Sequence, residues 1–255
     1  MSDELFTAAS GGLFSLRRLE IIADNLANVN TAGFKPQRLI QREQSFQDTL
    51  ASTIPDQPAR AARDIELNPG TVNVSSVTDF SPGAMQTTGN SLDVALQEAN
   101  HFFIVQDETG QAYTRAGNFT LNAENALVTR DGRPVLGQGG PITIPQGEVK
   151  IQANGQIMVD GESVGALGVV AIENLQALER IEGTRFRDGG GAGATPVASP
   201  NLVPGALEMP NVEPVSEMVN MINAQKAFEL YGKLVNTSEE LTETRRRTAQ
   251  GGGGA

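Results

Sequence analysis

The sequence predicts an α+β chain in which long N- and C-terminal helices, a coiled-coil-like pair or bundle, flank a central all-β domain, an irregular sandwich or barrel. Three observations predict it. A seven-residue apolar repeat opens the chain and a second closes it. Between them, short runs of β-forming residues are punctuated by Gly, Asn and Asp. The expected divisions are residues 1–35 for the N-terminal helix and an Asn/Gly motif, 36–78 for a linker or extended segment, 79–209 for the β domain, 210–247 for the C-terminal helix and 248–255 for a disordered tail.

In the first helix Leu5, Ala9, Gly12, Leu16, Leu19, Ala23 and Leu26 alternate steps of four and three residues, which lays them on one seam. Ala9, Gly12 and Ala23 are small, so the seam is thin and admits close approach of another helix. Phe6, Leu13, Phe14, Ile21 and Ile22 lie off the seam and make more than one side apolar, as suits a helix surrounded by neighbours. Ordering the backbone costs about 1–2 kcal/mol per residue, and a fully buried large apolar side chain returns about 1.5–3 kcal/mol. A seam this sparse therefore needs partner helices. The Ser2-Asp-Glu4 start suits the positive end of a helix, and Asn28-Val-Asn-Thr-Ala-Gly33 stops it.

Residues 36–78 show no clear period and carry Pro55, Pro58, Pro69 and an Asn68-Pro-Gly70 turn, which reads as a linker. The β domain begins near Asp79. Ser91–Leu96 alternates, His101–Val105 reads as a buried strand ended by the Asp107-Glu-Thr-Gly110 turn, and Ala112–Arg115, Asn118–Leu121 and Ala126–Thr129 follow closely. Asp131-Gly132 and Asn154-Gly155 are hairpin signals, the second joining Val149–Ile151 to Gln156–Val159. Leu167–Ile172 is a further strand, and Asp188-Gly-Gly-Gly-Ala-Gly-Ala-Thr195 reads as a flexible loop or disordered hinge. The last helix starts at Pro214, a residue suited to a first turn. Met221, Ala224, Phe228, Tyr231 and Val235 alternate three and four apart, and Met218, Val219, Ile222, Leu230, Leu234 and Leu241 widen that seam.

Composition narrows the function classes. The net charge of −11 leaves no basic face for nucleic acid, so the Arg245-Arg-Arg247 triplet reads as charge placed at the negative end of a helix. There is no cysteine, hence no disulfide and no thiolate metal site. No apolar run approaches the roughly 18 residues of a membrane helix, and Asp3 and Glu4 stand where a cleaved signal would be basic. His101 is the sole histidine and abuts Phe102-Phe103 in a strand, a structural setting. There is no nucleophile-elbow pattern, no phosphate loop at Gly137–Gly140 and no metal-ligand spacing. The expectation is a protein without enzyme activity, cofactor or metal. A secreted β-domain enzyme and a self-contained β-domain binding module remain as rival classes.

The segment Asp24-Asn-Leu-Ala-Asn-Val-Asn-Thr-Ala-Gly-Phe-Lys35 resembles the N-terminal signature of the bacterial flagellar rod and hook proteins, with Asp24 in place of the usual first Asn. Glu217–Glu229 resembles the closing helix of that family, its common Gln-Arg-Ala-Tyr-Glu standing here as Gln225-Lys-Ala-Phe-Glu229. Leu92–Leu96, His101–Phe103, Tyr113–Phe119 and Leu127-Val128 resemble its β domain. The resemblance implies a structural subunit of the basal-body rod, a periplasmic drive shaft, exported by the flagellar type III apparatus without a cleaved signal peptide. Such subunits form a helical homo-oligomer with other rod subunits as neighbours, and their terminal helices line the export channel. Nucleic acid and membrane insertion are not implied. Size favours a rod subunit over hook protein, and Leu92–Leu96 with Gly140–Pro145 leans to the proximal over the distal rod. The seam Leu5, Ala9, Gly12, Leu16, Leu19, Ala23 and Leu26 is then one subunit interface. Met218, Val219, Met221, Ile222, Ala224, Phe228, Tyr231, Leu234 and Val235 form the other. Asn25, Asn28, Thr31, Gly33, Phe34 and Lys35 shape the bend between helix and linker.

Overall fold

The computed structural model describes the backbone of residues 2–43 and 72–251, and side chains over 10–40 and 75–237. Leu5 and Ala9 of the expected first seam, and Leu241 of the last helix, lie outside the described side chains. The chain forms two compact units. One holds Met1–Ala23, Gln37–Val77 and Met218–Ala255; the other holds Asp24–Pro36 and Thr78–Glu217.

Helix α1 spans Ser2–Ala27 and helix α2 spans Pro214–Gly251. Pro214 takes the first position of α2, where a missing N–H costs nothing, and Glu217 supplies negative charge to the first turn. The helix runs on through Gly251, past the expected end at 247, and only 252–255 of the expected tail lie outside the described residues. The expected linker carries structure at both ends: Gln37–Glu43 and Val72–Thr78 pair as a two-stranded sheet.

The second unit is built on an open antiparallel sheet. Its strand order is Leu178–Arg180, Arg185–Asp188, Gly110–Thr114, His101–Asp107, Val169–Ile172 and Ala194–Pro196. The hairpin His101–Thr114 sits at its centre, with Asp107 opposite Gly110 across a two-residue turn. Side chains alternate along its first strand, so Phe103 and Val105 enter one apolar cluster with Phe119, Leu127 and Val169, while Phe102 enters a second with Phe80, Tyr113 and Phe186. Each cluster has an aromatic seed. Phe103 meets Phe119 edge-on at 5.1 Å, and Phe102 meets Phe80 at 5.9 Å. Val149–Ile151, Gln156–Val159 and Glu162–Ala166 make a three-stranded satellite sheet, its first turn at Asn154-Gly155 as the sequence predicts.

Two local expectations are corrected. Val94–Leu96 does not alternate: all three residues are buried, because the strand pairs with Leu202–Pro204 and the Val94 amide donates to the Gly117 carbonyl. The glycine-rich stretch 188–195 is a built turn, not a hinge. Asp188 Oδ1 accepts from the amides of Gly190 at 2.8 Å and Ala192 at 3.0 Å. Ala192 is fully buried in the second cluster, and Ala194–Pro196 continues as an edge strand.

Candidate functional site

The segment following α1 is a sequence of short polar turns ending in a buried anchor. Asn28 caps the helix end, its amide on Asp24 O at 3.1 Å and its side-chain amide on the same carbonyl at 2.9 Å. Thr31 turns back on Asn28, amide to carbonyl at 3.0 Å and hydroxyl to Oδ1 at 3.2 Å. The chain then enters the β unit at Gly33, whose φ of +70° favours glycine. Its amide donates to Glu208 O at 2.8 Å, and an added Cβ would overlap the backbone at Arg115–Ala116. Phe34 and Lys35 are each 1% exposed, and Asn25, one turn before the helix end, is also buried.

Lys35 lies in the interior, which a lysine enters only with partners. Its Nζ donates to Glu208 Oε1 at 2.7 Å and to Ser81 O at 2.8 Å. Asp79 places that carbonyl, since its Oδ1 accepts from the Ser81 amide and hydroxyl and its own amide donates to Pro36 O at 2.8 Å. Glu208 Oε1 also accepts from the Gly83 amide at 3.1 Å, and Oε2 accepts from Arg115 Nε at 2.7 Å and Nη2 at 2.6 Å. The remaining Arg115 donors reach the carbonyls of Glu98, His101 and Leu96. Burial pushes the Glu208 carboxyl up, but Arg115 and Lys35 outweigh it and hold the group below the usual glutamate range. Burial also draws the Lys35 ammonium down, against the pull of Glu208. A second guanidinium closes the anchor: Arg180 donates to Lys35 O, lies 4.6 Å from the Phe34 ring centroid and pairs with Asp24 at 3.5 Å.

In the helical unit, α1 and α2 approach through small residues. A Cβ added at Gly11 would overlap the Tyr231 ring, and Gly12 has room at 3.8 Å from Tyr231 Cβ. Ser15 is buried and bonds back to Gly11 O at 2.9 Å. Of the first seam, Gly12, Leu19 and Leu26 are half-buried while Leu16 and Ala23 are exposed; Ile21 and Ile22, off that seam, are buried. On α2, Ala224 is buried and Met221, Tyr231 and Val235 are half-buried. Met218, Val219, Ile222, Phe228 and Leu234 are exposed, from 42% at Phe228 to 58% at Leu234.

Among the described residues no group of acidic or histidine side chains is arranged to hold a metal ion, and no helix is long and apolar enough to cross a membrane. His101 contributes its carbonyl to Arg115, and its Nδ1 is buried without a partner. The structure thus gathers Gly33, Phe34 and Lys35 in one anchor with three residues that sequence reasoning did not single out: Arg115, Arg180 and Glu208. The signal was faint. Glu208 is a lone acid in the apolar run Ala206-Leu-Glu, and nothing local pairs it with a lysine 173 positions away.

Comparison with known proteins matches three stretches of the chain. Residues 7–35 match the flagella basal body rod protein family, 98–159 the flagellar hook protein FlgE/F/G D1 domain, and 203–244 the flagellar basal body rod FlgEFG protein C-terminal family. The flagellar basal-body rod protein FlgF of Caulobacter vibrioides is 31% identical over 96% of both chains. The FlgG rod protein of Bacillus subtilis is 33% identical, over 95% of this chain and 97% of its own. FlgG of Caulobacter vibrioides is 34% identical, over 94% and 96%. The chain belongs to the flagellar basal-body rod protein family of the FlgF/FlgG type.

Proposed function

We propose that this structural rod subunit, which is not an enzyme, polymerises helically through α1 and α2, and that the helices line the export channel of the rod. The observation that carries the reading is the apolar surface the helices leave open. Leu13 and Leu16 of α1 are 68% and 41% exposed, and Val215, Met218, Val219, Ile222, Leu230 and Leu234 of α2 are all at least half exposed. Burying each such side chain returns about 1.5–3 kcal/mol, so a neighbouring copy supplies what the single chain lacks. A contact between different faces of two copies is heterologous and propagates as a helix rather than closing. The predicted seams, Leu16, Leu19, Ala23 and Leu26 among them, serve as this interface. Other rod subunits are the flanking partners, and the subunit reaches its periplasmic site through the flagellar type III export apparatus.

Likeness at Leu92–Leu96 and Gly140–Pro145 supports a proximal-rod position. The distal rod is the second reading, supported by FlgG relatives at 33–34% identity beside 31% for FlgF. The test is limited proteolysis of the dilute chain together with rod assembly by Leu16→Asp and Leu26→Asp. Trimming of α1 before about residue 24 and of α2 beyond about 217, leaving a core of 24–36 with 78–217, with both variants folded in that core but unable to build a rod, is the expected result. A fully resistant monomer, or normal assembly by either variant, would sink the reading.

A further inference from the structure

We propose that the buried Lys35–Glu208–Arg115 cluster is a positioning device that fastens the roots of the two terminal helices to each other, with Glu208 as its positioning residue. The placement of the cluster is the first ground. Gly33 follows the last residue of α1, Ala27, by six positions, and Glu208 precedes the first residue of α2, Pro214, by six. The Gly33 amide on Glu208 O and the Lys35 Nζ on Glu208 Oε1 join these flanks twice, by backbone and by side chain. The last turn of α1, from Asp24, and the first turn of α2, to Glu217, both belong to the unit that holds the cluster.

The second ground is the geometry. Both carboxylate oxygens of Glu208 are fully engaged, Oε1 by Lys35 and Gly83 and Oε2 by two Arg115 nitrogens. Glu208 ends the strand Ala206–Glu208, which pairs with Met85–Thr87. A one-residue slip of that strand would present Leu207 to two cations, so the cluster admits a single register. A buried ion pair is a poor device for stability alone, since apolar side chains of equal volume do as well; fixing register is its best-attested use. Arg180 extends the fastening to α1 itself by pairing with Asp24 while bonding Lys35 O.

The proposal rests on the rod reading only for its consequence, that helix roots must be fixed for subunits to stack. The full chain, wild type and Glu208→Gln, is followed by hydrogen exchange with fragment mass analysis, and each is expressed in cells lacking the rod subunit. Expected for Glu208→Gln is a loss of protection at 24–36 of about a hundredfold or more. The central hairpin 101–114 stays within about threefold of wild type, and no rod forms. The double variant Lys35→Met/Glu208→Gln removes one charge of each sign and leaves Arg115 on the carbonyls of Glu98, His101 and Leu96; its melting recovers part of the loss while 24–36 remains unprotected. Uniform loss of protection across the hairpin and 24–36 in both variants would make the cluster a mere stabiliser and overturn the proposal. So would unchanged protection at 24–36, or normal rods from Glu208→Gln. Failure of the wild-type chain to restore the rod would overturn the rod reading instead, leaving hydrogen exchange to decide the cluster.

Discussion

Substituting Gly33 by alanine tests the anchor at its tightest point. Two costs follow from the structure. The φ of +70° is left-handed, and an L side chain there costs about 1–2 kcal/mol. The new Cβ would also overlap the backbone at Arg115 and Ala116, which unlike a side-chain tip has no rotamer to escape into. Relief requires residue 33 to back away from Glu208, breaking the 2.8 Å amide–carbonyl bond for about another 1 kcal/mol. Together the backbone terms reach about 2–3 kcal/mol before any strain on the Lys35–Glu208 pair, and for a unit of this size each kcal/mol lowers Tm by about 2–4 °C. The expected drop is therefore about 4–12 °C for the β unit in differential scanning calorimetry. Gly89→Ala is the internal control. Its φ of +76° carries the same conformational cost, but nothing lies within 4 Å of its Cβ position. A Gly33→Ala shift no larger than that of Gly89→Ala would refute the close-approach argument.

Three further outcomes are expected. Because the folded pKa of Glu208 is depressed below the ordinary value of 4.5, its contribution is complete above that value and drains away as pH falls through the folded pKa. The urea midpoint of the wild type should thus fall more steeply below about pH 4.5 than that of Glu208→Gln; parallel pH profiles would contradict the assignment. In the helical unit, Gly11→Ala should destabilise α1 against α2 when Tyr231 is present. With Tyr231→Ala it should instead stabilise by about 1 kcal/mol, the helix preference of alanine over glycine, read as a sign change in a double-mutant cycle of helical melting. Arg180→Met removes the guanidinium that lies over Phe34 and bonds Lys35 O and Asp24. A loss of about 1–3 kcal/mol in urea unfolding is expected, and no loss would show the guanidinium to be dispensable.

The parts of this fold that were legible in the sequence are those written in local chemistry. The period of α1, the Pro214 start of α2, the hairpin turn after Asp107 and the Asn154-Gly155 turn all follow from residues a few positions apart. The strands Leu178–Arg180 and Arg185–Asp188 escaped because charged residues dominate them: Glu179 and Arg187 face each other across the pair and read as solvated loop. The turn at 188–193 escaped for the opposite reason, since its glycines suggest slackness while the order comes from one carboxylate and the burial of Ala192. At the anchor, Gly33, Phe34 and Lys35 stood out as a motif, but a bend was the only role that local reasoning offered them. Lysine is ordinarily a surface residue, and its interior placement depends on Glu208 and Arg115, which only tertiary folding delivers.

The hydrogen bonds at the domain entrance have a consequence for how the gene can vary. The chain leaves the β unit at Pro36 and re-enters at Asp79, whose amide bonds the Pro36 carbonyl. The strands that follow return to the same place at Glu208, whose carbonyl accepts from the Gly33 amide. Each excursion therefore begins and ends at one doorway, as when a domain whose termini adjoin is spliced into a host. The stretch between 37 and 77 and the strands between 79 and 205 behave as two cassettes. Loops of either are free to lengthen or shorten in evolution without moving the frame from which the helices spring, so long as Ser81, Gly83, Arg115 and Arg180 keep their places at the anchor.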